Sequence, residues 1–156
     1  MDLDRILAFL RALGDEGVEY VLVGGAALNF HGLIRATEDV DIFVRAEPDN
    51  VARLRRALSS VWDDPEIQQI HAEDLAGSYP TIRYGPPGED LVIDVIARLG
   101  SAFDFDDLQS QTLTIEGVPV HVATPATLYR MKRESIRPID RADAAALKEK
   151  FGLEED

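Results

Sequence analysis

Glu19-Tyr20-Val21-Leu22-Val23 runs into the pair Gly24-Gly25 and then Ala26-Ala27, and with thirteen residues intervening after Gly25 comes Asp39-Val40-Asp41-Ile42-Phe43-Val44. The first run is β-branched and aromatic and too short for a buried helix, so it reads as a strand that stops at the glycines. Ala26 to His31 has helix-forming residues closed by Gly32, which predicts a short helix starting right after the glycine pair. Asp39 to Val44 reads as a second strand. Side chains alternate faces along a strand, so Asp39 and Asp41 share one face while Val40, Ile42 and Val44 pack on the other.

Two carboxylates held that way repel, and a bare pair would raise one pKa sharply. A divalent cation removes the conflict, and an oxygen-only donor set suits magnesium or manganese. Asp94 adds a third carboxylate, since it interrupts Leu91-Val92-Ile93-Asp94-Val95-Ile96, where an unpaired charge in an apolar strand costs several kcal/mol, of order the buried-ion penalty. Three acidic side chains on adjacent strands are the requirement of a two-metal phosphoryl-transfer site. The glycine pair fits the same chemistry, because a strand turning through Gly-Gly into a helix offers backbone N–H groups that a phosphate can approach closely. No Gly-Lys-Ser/Thr follows it, and no third glycine stands in register, so neither a P-loop nor a dinucleotide fingerprint is present.

Outward from this centre, apolar residues recur with helical period from Leu3 to about residue 15. Pro48 suits the first turn of a helix running to about Leu58. Residues 61 to 78 have no clean period, with Trp62, Ile67, Ile70 and Leu75 as core candidates. Thr81–Tyr84 and Leu91–Ile96 read as strands joined by the turn-rich Gly85-Pro86-Pro87-Gly88-Glu89-Asp90. Leu113–Ile115 and Val118–Val122 predict a hairpin, with Pro119 suggesting a sheet edge. Thr124-Pro125 is an N-cap with proline at the first helical position, opening a helix to about Ile136. Pro138 breaks it, and Asp140 with Asp143 resembles a capping arrangement for a last helix ending at Gly152. The expectation is a single α/β (α+β) domain over residues 1–156, a mixed twisted sheet flanked by helices with a helical C-terminal end.

Composition narrows the partners. The 156 residues include 16 Lys+Arg against 29 Asp+Glu, a formal net charge of -13, with 46% hydrophobic residues and no cysteine. Cys-ligated zinc and thiol catalysis are excluded. Affinity for a long nucleic acid comes mainly from cations neutralising phosphates, so a polymeric nucleic-acid partner is disfavoured. No apolar run approaches the roughly 18 residues of a membrane span, and the acidic start is unlike a signal peptide, which points to a cytoplasmic protein. One segment runs against the overall charge. Arg130, Lys132, Arg133, Arg137 and Arg141 face only Glu134 and Asp140, a local +3 that could hold a small anion.

Gly24-Gly25 with Asp39-Val40-Asp41 and the later lone strand Asp94 resembles the nucleotidyltransferase superfamily that shares the fold of DNA polymerase beta. The longer stretch through His31-Gly32, Arg35, Thr37, Asp39 and Asp41 looks like its small bacterial branch, which includes the AbiEii-type and lincosamide nucleotidyltransferases. Lys132, Arg137, Asp140 and Asp143 are similar to the lysine-bearing helix and acidic helix start found there. Two departures stand out: Gly25, where many superfamily members carry a serine hydroxyl, and Ile139, where relatives often carry lysine. The resemblance implies the nucleotidyltransferase fold and a magnesium-dependent transferase with two Mg2+ ions (Mn2+ as a substitute). Its substrate would be a nucleoside triphosphate such as ATP, and its acceptor a hydroxyl of a small molecule or protein. Asp39, Asp41 and Asp94 would be the catalytic and metal-binding residues, and Gly24, Gly25, Arg35, Thr37 and Lys132 the nucleotide-binding ones. The alternative is a nucleotidyltransferase-like antitoxin or interaction protein of a toxin–antitoxin system, with a toxin as partner.

Taken singly, each signal has a plainer reading. A lone Gly-Gly is usually a turn, and Asp-x-Asp in a strand is more often a solvated edge; the conjunction with Asp94 favours the metal site. Arg35 and Thr37 lie in the loop leading to the carboxylates, within reach of a phosphate, yet such residues are common in surface loops. Lys132 is a solvated helix charge by default, and only its basic neighbourhood and the resemblance make it a triphosphate contact. His31 reads as a packing residue at a helix end. Asp104, Asp106 and Asp107 read as a solvated loop, because EF-hand spacing is lacking.

Overall fold

The apolar stripe of the first segment forms helix α1 (Leu3–Asp15) and buries Ile6, Phe9, Leu10 and Leu13. In this computed structural model residues 3–34, 39–77, 80–99, 103–133 and 137–153 are described. Strand β1 (Tyr20–Val23) is buried along its whole length and passes directly into α2 (Gly24–Phe30). The helix therefore takes in the glycine pair where the sequence suggested a start after it. The turn is made by Gly24 itself, at φ +71°, a left-handed conformation that side chains disfavour.

Strand β2 (Asp39–Val44) runs antiparallel to β1. Helix α3 (Pro48–Val61) follows, with proline in its first turn as expected but a C-terminal end about one turn later. Asn50 is 1% exposed. Its Oδ1 accepts from the Glu19 N–H at 2.7 Å, while its Nδ2 donates to the Glu19 and Arg45 carbonyls at 3.0 and 2.9 Å. That one side chain fastens the start of β1 to the end of β2, holding the register that sets Val23 opposite Asp41. The aperiodic segment contains 3-10 turns at Pro65–Gln69 and Ala72–Leu75, and Trp62, Ile67, Ile70 and Leu75 are buried as expected.

Strands β3 (Thr81–Tyr84) and β4 (Val92–Ile96) form the antiparallel hairpin. Its loop is anchored from outside: Glu89 accepts from Arg5 Nε at 2.8 Å and from the Trp62 indole N–H. Short strands β5 (Arg98–Leu99) and β6 (Phe103–Asp104) pair apart from the main sheet. Strands β7 (Ser110–Ile115) and β8 (Val118–Ala123) complete a six-stranded mixed sheet of order β3-β4-β2-β1-β8-β7. Of this hairpin β7 is at the sheet edge, and β8, which carries Pro119, lies inside the sheet. Proline is tolerated there because the parallel register sets Val122 opposite Leu22, so Pro119 falls where β1 has not yet begun and no ladder donor is needed.

Thr124 caps helix α4 (Pro125–Arg133), its Oγ1 accepting from the Thr127 N–H at 3.2 Å. Helix α5 (Pro138–Phe151) packs against α4 and ends at Gly152 in the left-handed region. Pro138 opens this helix rather than merely ending the previous one. Asp140 and Asp143 are consequently inside α5, and both carboxylates are salt-bridged to Lys132 instead of capping a helix start. On the buried face of the central strands Val40, Ile42, Ile93 and Val95 are each 0% exposed. Burial of side chains this size stabilises by roughly 1.5 to 3 kcal/mol apiece, which makes those strands a rigid support for whatever stands on their other face.

Candidate active site

Parallel pairing of β2 with β4 puts Asp41 directly opposite Asp94 and Asp39 opposite Val92. All three carboxylates therefore stand on one sheet face, on the two central neighbouring strands, as the alternation of the sequence requires. The turn after β1 closes the site from its other side. A Cβ on Gly24 would lie 2.2 Å from Asp41 Oδ2, so only glycine leaves room for the Asp41 carboxylate against the backbone. The sequence reading assigned this glycine to phosphate approach; the structure gives it an additional task, seating Asp41.

Burial and crowding push the Asp41 carboxyl up to about 7, with desolvation the largest cause, followed by its hydrogen bond to Asp94 and the charges of Asp94 and Asp39. The charge of Lys132 acts in the other direction and lowers it. The same ammonium lies 3.2 Å from Asp140 Oδ1 and 3.0 Å from Asp143 Oδ2. Arg83 was not singled out from the sequence, yet it reaches the site from β3. Its Nη1 is 3.4 Å from Asp94 Oδ2 and its Nη2 is 3.6 Å from Asp39 Oδ2. The signal was available in the hairpin, since antiparallel pairing sets Arg83 opposite Asp94, but a six-residue loop leaves that register open.

The oxygen donors fit magnesium or manganese in kind: hard carboxylates on a rigid sheet, one of them, Asp41, pushed up by burial and by its carboxylate neighbours. Among the described residues no three or more His, Cys, Asp or Glu side chains are already gathered closely enough to hold an ion. Gly25 follows Gly24 in the first turn of α2, whereas Arg35 and Thr37 lie outside the described residues. His31 is a packing residue as expected, its Nε2 donating to the Ala123 carbonyl at 2.8 Å and its ring set edge-on to Phe151. Asp104 accepts from the Asp106 N–H, and Asp106 pairs with Arg45, so this acidic group is used structurally.

A six-stranded mixed sheet with helices around it and three carboxylates at its centre is the architecture expected of a nucleotidyltransferase. Residues 5–146 match the family described as "Nucleotidyl transferase AbiEii toxin, Type IV TA system", and the chain belongs to that family of nucleotidyltransferases. No curated protein matches it significantly. Among solved structures, a nucleotidyltransferase of Thermotoga maritima superposes with TM-score 0.61 at 13% identity, covering 96% of this chain and 91% of its own. The antibiotic-resistance factor ANT(2'')-Ia gives 0.58 at 13% identity, with 96% and 83% covered. The lincosamide antibiotic adenylyltransferase LnuA, in a lincomycin-bound structure, gives 0.55 at 15% identity, with 95% and 97% covered. At such identities the likeness establishes a shared fold. No described helix is long and apolar enough to cross a membrane.

Proposed function

We propose that this chain, acting as one domain over residues 1–156, transfers a nucleoside monophosphate from a nucleoside triphosphate such as ATP to a hydroxyl, releasing pyrophosphate. The observation that carries the reading is the in-register pair Asp41 and Asp94 on neighbouring parallel strands with Asp39 on the same face. Asp39, Asp41 and Asp94 would hold two magnesium ions, which supply Lewis-acid charge at the phosphates when bound. Asp94 accepts the proton of the acceptor hydroxyl, whose oxygen forms the new bond to the α-phosphorus while the bond to the pyrophosphate oxygen breaks. Gly24 and Gly25 let the β and γ phosphates approach the backbone. Lys132, Arg35 and Thr37 complete the contacts to the triphosphate. Catalysis on this account is chiefly electrostatic positioning.

The acceptor is a small molecule or a protein, in keeping with the chain's net charge of -13, which disfavours long nucleic acids. The test is release of pyrophosphate and labelling of acceptor from α-labelled triphosphates, for wild type, Asp39→Asn and Asp94→Asn. Transfer by wild type alone is expected; wild-type-like transfer by either variant contradicts the assigned roles. A second reading, an interaction protein within a toxin–antitoxin pair, draws on the description of the matched family as a toxin of a type IV system. Growth arrest that persists in Asp39→Asn and is relieved by a co-expressed neighbouring gene would favour it.

A further inference from the structure

We propose that Arg83 is a displaceable counter-ion built into the carboxylate site: its guanidinium holds Asp39 and Asp94 while no cation is bound and gives way when a divalent cation enters. This rests on the nucleotidyl-transfer reading of the site and adds to it a positioning residue that governs cation entry.

Three features of the geometry lead there. Arg83 stands opposite Asp94 across the β3–β4 pairing and spans to the neighbouring strand, with Nη1 3.4 Å from each Asp94 oxygen and Nη2 3.6 Å from Asp39 Oδ2. Charge-assisted hydrogen bonds close to about 2.7 to 2.9 Å, so these contacts are Coulombic and loosely held. The second feature is asymmetry of exposure: the Arg83 side chain is 62% exposed and that of Asp94 13%. The arginine can move into solvent, whereas the carboxylate is fixed to the sheet. The third is a place to go. Arg83 also lines an open groove of about 360 Å3 beside β3 that includes Glu66 and Asp74, where other carboxylates can take up the released charge.

A divalent cation offers the same oxygens twice the charge in a smaller volume, and two like charges cannot occupy the space between Asp39 and Asp94 together. Arg83 therefore competes with the cation. If the arginine served only to stabilise the β3–β4 hairpin, its removal would lower the melting temperature and leave cation affinity untouched.

The test is titration of metal-free, nucleotide-free protein with Mn2+, followed by the electron paramagnetic resonance signal of the free ion, for wild type, Arg83→Gln, Arg83→Lys and Asp41→Asn. Removing two exposed ionic contacts should tighten Mn2+ binding about three- to tenfold in Arg83→Gln. Arg83→Lys, which keeps the charge, should return to within about twofold of wild type, and added salt should shrink the difference. Equal or weaker Mn2+ binding by Arg83→Gln overturns the inference, as does absence of binding in both wild type and Arg83→Gln. Wild-type Mn2+ affinity in Asp41→Asn would overturn the carboxylate-site reading itself. Loss of binding in Asp41→Asn with no change in Arg83→Gln overturns only the role of Arg83.

Discussion

Two of the charge clusters among the described residues are built on opposite principles. On α4 and α5, Lys132 sits between Asp140 and Asp143 at 3.2 and 3.0 Å, and all three side chains are 18% exposed or less. On β2 and β4, Asp39, Asp41 and Asp94 crowd together, Arg83 meets two of them only at 3.4 to 3.6 Å, and Asp41 is driven up to about 7. The helical cluster is paired within itself and holds two helices together. The strand cluster is under electrostatic tension in the cation-free protein, a condition that a bound cation relieves and that perturbed groups at reactive sites commonly display. Removing one member should therefore have opposite consequences in the two places.

The largest effect expected is on transfer. Asp39→Asn or Asp41→Asn should lower the rate by at least about a thousandfold, the scale of losing a key electrostatic group, as measured by pyrophosphate release. Fold stability should not suffer: Asp41→Asn should melt at or above the wild-type temperature at pH 8 without metal. The helical cluster should behave the other way. Lys132→Met takes from Asp140 and Asp143 the ammonium that lies 3.2 and 3.0 Å away, a loss of about 1 to 3 kcal/mol, less than for a fully broken buried pair because Arg137 stays 3.7 Å from Asp140, read by urea denaturation. A melting temperature unchanged in Lys132→Met would erase the distinction between the clusters.

The strand cluster was legible from sequence because it depends on short-range rules. Period-2 alternation places Asp39 with Asp41, and a charge inside Leu91–Ile96 needs a partner wherever that strand lies. The helical cluster was misread because its decisive contact is between helices. Asp140 and Asp143 suit a helix start locally, but α5 opens at Pro138 and the packing of α4 against α5 turns both carboxylates to Lys132. Arg83 escaped notice for a related reason, as its approach to Asp94 depends on a hairpin register that Glu89, Arg5 and Trp62 help to fix from elsewhere in the chain. Pro119 was placed on an edge strand by a sound local rule; the short length of β1 makes an interior position harmless.

Gly24 connects sequence signal and tension directly. Gly24→Ala puts a methyl group into the Asp41 carboxylate and forces a side chain to φ +71°, costing about 1 to 3 kcal/mol for the backbone alone. Its transfer rate should fall more steeply than its stability, because Asp41 must move; comparison of melting temperature with initial rate checks this.

The pH dependence of stability has the same origin. Asp41 has a folded pKa of about 7, above the roughly 3.9 of an unfolded aspartate. The folded state thus binds the proton more tightly, and the stability this confers is fully present below about pH 4 and is lost as pH rises through 7. Metal-free wild type should lose stability between pH 5 and 8 relative to Asp41→Asn; parallel curves for the two proteins would show that Asp41 carries no such tension.

The most direct test is thermal unfolding of wild type and Asp41→Asn at pH 8 with no additions, with magnesium, and with magnesium plus a nucleoside triphosphate. A ligand at about 100 times its dissociation constant stabilises by roughly 2.7 kcal/mol, which for a domain of this size corresponds to about 6 to 12 °C at 2 to 4 °C per kcal/mol. Wild type should show a shift of that order with both ligands and a smaller one with magnesium alone, since the ion completes its shell with substrate phosphates. Asp41→Asn should show little of either, and equal shifts in the two proteins would contradict the claim that these carboxylates form the metal-dependent transfer site.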